Sequence, residues 1–355
     1  MNNNTNFPLQ SPSSSSEFSD TNSMPTDKSY FRIKIMLRRT FWAITGLAML
    51  CFTHTSYAAE SVVSANPTGG TDVSAAIVPP KSGAYGAITT IPMLYSSGYR
   101  DSDGNKVEGP NKIYSALGGL SLLYVYDYKP LGGTLSSSFS AFYQYADTTL
   151  FGRSESITGF VDPYLDLFYY SKHVGLAGAE PGSKMLPYGL TLAFGTGARL
   201  PWGRYDTDNL LNPGVNYYLL SPNAAFTYMT GPNLSFGDST EISARAFYGI
   251  PFRNDDTDYK SGDTLSVDFA VAQHFGEFSV GLAGNRTVQV EDDDPGESGV
   301  PVVDGKKTSQ WALGPVVTYR PSGSDLYLKA KYLRYFKSRN NLDSNALLFS
   351  VAFPL

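Results

Sequence analysis

From Tyr85 to the end of the chain, apolar residues alternate with small or polar ones in runs that each stop at Gly, Pro, Asn or Asp. Alternation with a period of two predicts strands whose two faces meet different surroundings. Twelve runs can be drawn, at 85–97, 113–127, 134–147, 160–171, 186–200, 216–230, 239–252, 263–275, 278–290, 309–320, 325–337 and 345–353. In the eighth, Leu265, Val267, Phe269, Val271 and Phe275 oppose Thr264, Ser266, Asp268, Ala270, Ala272 and His274. The ninth sets Phe278, Val280 and Leu282 against Ser279, Gly281, Ala283 and Asn285, and the fifth sets Leu190, Leu192 and Phe194 against Thr191, Ala193, Gly195, Gly197 and Arg199. A soluble sandwich also alternates, so the pattern predicts strands without choosing an architecture.

The connections choose. Lys129 to Gly133, Gly231 to Asp238, Gly276-Glu277 and Pro321 to Ser324 are short and follow even-numbered runs. Residues 101–111, 148–159, 201–215, 253–262, 291–308 and 338–344 are longer and follow odd-numbered ones. Short and long ends alternating around an even number of strands is the pattern of an outer-membrane β-barrel. The segment His173 to Met185 breaks it, being long where a short periplasmic turn is due. Leu347, Phe349, Val351, Phe353 and Leu355 share one register, as expected of a last strand whose apolar face looks outward. The fold expected is therefore all-β: a transmembrane antiparallel barrel of about twelve strands with both termini periplasmic.

The N-terminal part reads differently. Arg32, Lys34, Arg38 and Arg39 precede an apolar run from Thr40 to Phe52, and Ser56-Tyr57-Ala58 follows it. This is the layout of a secretory signal cleaved after Ala58, with start sites at Met1, Met24 or Met36 all compatible. Arg38-Arg39 resembles a twin-arginine signal, but that route carries folded proteins and a barrel must arrive unfolded. The run has 13 residues where a helical span needs about 20. Residues 1–58 are thus read as extension and signal, 59–82 as a flexible periplasmic leader on the strength of Pro-Thr-Gly-Gly and Pro79-Pro80, and 83–355 as the barrel.

Composition narrows the chemistry. Cys51, the single cysteine of the chain, lies in the signal, which excludes a disulfide framework and a multi-cysteine metal site. Charged residues make up 17% of the chain, with 27 basic against 32 acidic, so there is no basic footprint for nucleic acid. Of the three histidines, His54 is in the signal and His274 is followed by Phe275-Gly276, without the serine a barrel phospholipase would place two residues on. Asp101-Ser102-Asp103-Gly104-Asn105 departs from a calcium loop at Lys106 and Lys112 and reads as an exposed turn. Glu291 to Asp294 reads as a solvated acidic loop, with bridging to lipopolysaccharide through divalent cations as the alternative. No catalytic residue, cofactor or metal site is expected.

The segments Gly197-Ala198-Arg199-Leu200-Pro201-Trp202-Gly203-Arg204-Tyr205, Asn212-Pro213-Gly214-Val215-Asn216 and Ser221-Pro222 resemble, in that order, the outer-membrane family named for the MetA pathway of phenol degradation. Asp162-Pro163-Tyr164 before them and Asn254 to Gly262 after them fit the same family. The resemblance covers roughly Ser82 to Leu355. It implies a barrel that passes small, hydrophobic or aromatic molecules, and it brings no catalytic residues.

Asp162, Asp166, Arg199, Glu241, Arg245, Asp268, Lys329 and Lys331 all fall on the small-residue face. None can face lipid cheaply near the bilayer midplane, so they are the candidate pore lining. Two roles stay open, a charge filter and an internal salt-bridge network. Tyr164, Phe168 and Tyr170 are expected beside them, facing inward. A hairpin register with positions summing to about 515 would set Glu241 opposite His274 and Arg245 diagonal to Asp268. On the same face, Ala193 and Ala283 are expected to accept an arginine. The function expected is an outer-membrane channel, with a non-conducting structural or surface-binding barrel as the alternative and a lipid hydrolase as a weaker one. The expected partners are outer-membrane lipid, lipopolysaccharide, the barrel-assembly machinery and a small solute.

Overall fold

The computed structural model describes residues 66–175, 186–232, 236–297 and 307–355. The signal, its cleavage site and residues 59–65 lie outside the described residues. Thirteen strand segments follow in order: β1 (Gly83–Arg100), β2 (Lys112–Val125), β3 (Thr134–Leu150), β4 (Arg153–Phe160), β5 (Tyr164–His173), β6 (Gly189–Arg199), β7 (Leu219–Met229), β8 (Ser239–Pro251), β9 (Thr264–Phe275), β10 (Phe278–Gln289), β11 (Ser309–Tyr319), β12 (Tyr327–Arg339) and β13 (Asn341–Pro354). Each pairs antiparallel with its sequence neighbour except at β4, which pairs with β3 alone. β5 also pairs with β3, so β4 and β5 occupy one wall position, and β1 closes on β13 from Tyr85↔Pro354 to Arg100↔Asn341. The result is a closed antiparallel barrel of twelve strands.

The alternation maps onto the wall as expected. Leu192, Phe194, Phe226, Val280 and Leu282 stand exposed on the outside, while Thr191, Ala193, Ala225, Thr227 and Ala283 are buried within. Two expected connections are instead strand. Residues 148–159 form the β3–β4 hairpin, because Phe151 and Gly152 both take positive φ (52° and 83°), the backbone a two-residue hairpin turn requires. Residues 338–344 are mostly strand, since Asn340 takes φ 44° and turns the chain directly from β12 into β13. Part of the long segment after His173, residues 176–185, lies outside the described residues.

A bulge in β5 overturns the expected aromatic face. Leu167 and Phe168 both lie on the outer side where the pairing of β5 with β6 shifts register, and Phe168 stands 40% exposed. Two outward residues in succession invert the alternation that follows. Tyr169, at 5% exposure, therefore points into the lumen, and Tyr170 packs against outward Phe194.

The leader is not a free tether over its described part. Asn66 donates to Thr264 O (3.1 Å) and Thr264 Oγ1 (2.8 Å), where β9 begins at the long-connection end. Ala76 N donates to Thr227 Oγ1 (3.1 Å), and Tyr169 OH to Ala75 O (2.7 Å), near the short-connection ends of β7 and β5. The segment thus runs down the inside of the barrel before turning out to β1. Small inward residues make room for it: Val73 packs on Ala270, Ala283 and Val316, and Ala75 and Ala76 on Ala193, Ala225 and Tyr169. An arginine at Ala193 or Ala283 would therefore meet the leader rather than open space.

Candidate functional site: the charged lumen

All eight candidate residues lie on the inward face, and they divide by what they touch. Four hold the leader. Asp268 accepts the backbone amides of Gly69 (2.7 Å), Gly70 (3.0 Å) and Thr71 (2.9 Å), the Thr71 hydroxyl and Asn285 Nδ2. Gly69 takes φ 70°, which turns successive amides towards one anion. Lys329 and Lys331 both pair with Asp72, the former at 3.2 Å, and each also donates to a leader carbonyl. The Asp72 carboxylate thus sits between two ammonium groups and also accepts the Val73 amide (2.7 Å). Glu241 accepts from the Ser74 amide, from Ser243 Oγ (2.5 Å) and meets His274 Nε2 at 2.8 Å.

Asp166 and Arg245 form a brace. Arg245 bonds Asp166 at 2.7 Å and Asn223 Oδ1 at 3.1 Å, and its guanidinium lies over the rings of Tyr169 (4.2 Å) and Phe247 (4.6 Å). The expected hairpin register is corrected by two positions. Pairs in β8 and β9 sum to 513, so Arg245 is directly opposite Asp268 and Glu241 is diagonal to His274. The Asn254↔Tyr259 bridge carries the same register into the connection, which is why the hairpin does not slip to 515. Arg245 nevertheless pairs with Asp166, since Asp268 is spent on the leader.

Asp162 sits in the break between β4 and β5, beside Pro163, which has no amide to continue a ladder. Its carboxylate accepts the amides of Gly203 and Val215, both at 2.7 Å. A side chain at Gly203 or Gly214 would collide with Asp162, which accounts for both glycines. Further bonds join the same loops: Arg204 N to Phe160 O (2.9 Å), Gly214 N to Arg204 O (2.9 Å), Asn216 Nδ2 to Asn254 Oδ1 (2.9 Å) and Asn254 Nδ2 to Tyr205 OH (3.1 Å). Tyr259 OH adds a bond to Asp293 (2.6 Å), Asp294 pairs with Arg253 and Asp292 with Lys307 (3.5 Å), so three of the four residues in the acidic run expected to be solvated are committed to the chain itself. Arg199 closes the set at the end of β6, without an ion pair among the described residues. Leader residues Gly69 to Ser74 were missing from the sequence reading. One signal was present: Lys329 and Lys331 lie between Thr318 and Val316 on β11 and Ser350 and Leu348 on β13, so their counter-charge had to come from outside the wall.

The loops fastened together here are those whose sequence resembled a family. A family model described as "Putative MetA-pathway of phenol degradation" matches residues 96–351. The chain belongs to this family. The phenol-degradation match begins within β1 and leaves out the leader. Among solved structures, the COG4313 outer membrane channel from Pseudomonas putida is similar over 82% of this chain and 100% of its own, with a TM-score of 0.64 and 15% identity. The β domain of the Bordetella autotransporter BrkA is more distant, with a TM-score of 0.41 and 14% identity over 78% of this chain and 100% of its own. The NanC porin gives a TM-score of 0.39 and 11% identity over 76% and 100%. No curated protein matches. A closed barrel with an apolar outer face places this member of the phenol-degradation family in the outer membrane.

Proposed function

We propose that the barrel is a channel for small molecules with hydrophobic or aromatic bodies. The observation that carries this reading is the filling of the lumen. The leader holds its place through contacts with individual inward side chains and joins no sheet, so it can shift without breaking the wall. The P. putida relative is itself an outer membrane channel, and the family description names phenol degradation. In this reading the eight inward charges line the passage, and the short-connection end, where β13 finishes, faces the periplasm. The reading assigns no catalysis, since His274 is committed to Glu241. Bilayer lipid contacts the outer face, lipopolysaccharide meets the long connections, and the assembly machinery reads the last strand.

A non-conducting barrel that works through its loops is the second reading, favoured by the leader's occupation of the lumen. Planar bilayer recording separates the two. The channel reading expects discrete current steps that increase when the leader's anchors are cut. A barrel silent in both forms would leave the loop-binding reading.

A further inference from the structure

The outer face of the barrel carries a basic patch towards its long-connection end. Arg286 on β10 lies opposite Trp311 on β11, while Arg334 and Arg339 on β12 lie opposite Leu313 and Ser309. Residues paired across strands share a face, and Trp311 and Leu313 stand exposed on the outside, so three guanidinium groups gather around one outward tryptophan. Arg286 lies over the Trp311 ring, 5.1 Å from its centroid, and donates through Nη1 to the carbonyls of Gln310 (3.1 Å) and Thr287 (3.2 Å). Arg334 and Arg339 are exposed, and Arg339 is close enough for its charge to act on Arg286.

The wall does not neutralise them. Among the described residues no carboxylate oxygen lies within 4.0 Å of any of the three. Two carboxylates near them in the fold are engaged elsewhere: Asp343 on β13 pairs with Arg100 (2.7 Å), and Asp101, whose carbonyl accepts the Asn340 amide, holds the amides of Asp103 (2.9 Å) and Asn105 (2.8 Å). Like charges beside an apolar surface repel more than they do in water, which screens them better. Next to them the same face presents Leu282, Leu313 and Tyr332, all exposed. Cations bordering an apolar wall are the complement of an anionic amphiphile, and arginine suits phosphate because its planar fork makes paired bonds. Charge count then chooses the amphiphile. A zwitterionic phospholipid balances its one phosphate with its own ammonium, whereas the disaccharide of lipid A bears two phosphates above several acyl chains.

We propose that Arg286, Arg334 and Arg339 bind the phosphates of lipid A, the membrane-embedded part of lipopolysaccharide, with its acyl chains along Leu282, Leu313 and Tyr332. The assignment rests on the reading that the long connections face the cell exterior, and it does not require the barrel to conduct.

Diphosphoryl lipid A, monophosphoryl lipid A, phosphatidylethanolamine and inorganic phosphate are the probes, the lipids titrated into the folded protein in non-ionic detergent and followed by native mass spectrometry, the phosphate added as competitor. Diphosphoryl lipid A should bind saturably and most tightly, the monophosphoryl form more weakly, and phosphatidylethanolamine and inorganic phosphate weakest. Arg334→Gln and Arg339→Gln should each weaken diphosphoryl lipid A by roughly two- to fivefold, and the triple variant with Arg286→Gln by about tenfold or more. Lys112→Gln removes an exposed cation at the long-connection end of β2 and should leave the affinity unchanged. Absent lipid A binding overturns the site, as does unchanged affinity in both exposed arginine variants, an equal loss in Lys112→Gln, or phosphatidylethanolamine or inorganic phosphate binding as tightly as lipid A. If the triple variant is not heat-modifiable, the two exposed single variants decide. Orientation is read separately, by labelling Glu108→Cys, at an exposed position of the 101–111 connection, in whole cells with a membrane-impermeant maleimide. Lipid A binding as stated without labelling keeps the site and overturns the orientation.

Discussion

The two ends of the lumen are closed by different means. Towards the short connections the barrel is filled by the leader, and charge meets charge or backbone there: Asp72 with two lysines, Asp268 with three amides, Glu241 with His274 and Ser74. Towards the long connections the filling comes from the wall's own loops. Asp162 pins the 200–218 connection, and Leu211 from that loop packs on Tyr99, Ile113, Leu150, Ile157 and Leu342. One end is held by a segment that joins no sheet, the other by loops anchored at both ends. Loss of an anchor should therefore open the first and only loosen the second.

The largest effect is expected at Asp72. Asp72→Ala leaves two buried ammonium groups without their partner, a loss of about 3–5 kcal/mol for a broken buried pair. The leader should detach, raising single-channel current while the long connections keep their protease resistance. Unchanged current would break the comparison at its first term. Next come two neighbouring positions on β10 that face opposite ways. Leu282→Arg puts a charge on the lipid face at a cost of roughly 2–4 kcal/mol and should reduce the heat-modifiable fraction on gels. Ala283→Arg should insert normally and raise the current, because it displaces Val73. Equal loss of insertion in both would show that Ala283 does not face the leader.

Asp162→Ala orphans the amides of Gly203 and Val215, each worth about 1–3 kcal/mol when buried and unpaired. The expected readout is mainly local: faster tryptic cleavage at Arg204, with a smaller change in current than Asp72→Ala gives. The smallest effect concerns Asp294, whose carboxyl is held below the ordinary 3.8 by the Gly296 amide first and by Arg253. Its pairing contributes fully above that value and is lost as the pH falls through the lowered one. Protection of the amides around residues 253–260, taken relative to the intrinsic exchange rate at each pH, should stay constant from neutral pH to the ordinary carboxylate range and fall only in stronger acid.

Most of the wall was legible, because lipid on one side and a packed lumen on the other impose an alternation that Leu192/Ala193 and Leu282/Ala283 display without ambiguity. The hairpin at Phe151-Gly152 was not, since a non-glycine residue at positive φ carries no strong sequence mark. The bulge at Leu167 and Phe168 was hidden for the opposite reason: every residue there is a good strand former, and only register with neighbouring strands reveals the extra position. The inward charges were visible as a set, but their partners were not. Gly69, Gly70 and Asp72 lie in a stretch whose glycines and prolines read as a linker, and its order comes from side chains far along the chain.

Single-channel recording of the mature protein and of Asp72→Ala, with sodium benzoate as electrolyte, tests the central claim that this barrel passes small molecules through a lumen the leader restricts. We predict discrete current steps in the wild type and larger ones in the variant. A flat baseline in both, from protein that remains heat-modifiable, would contradict it.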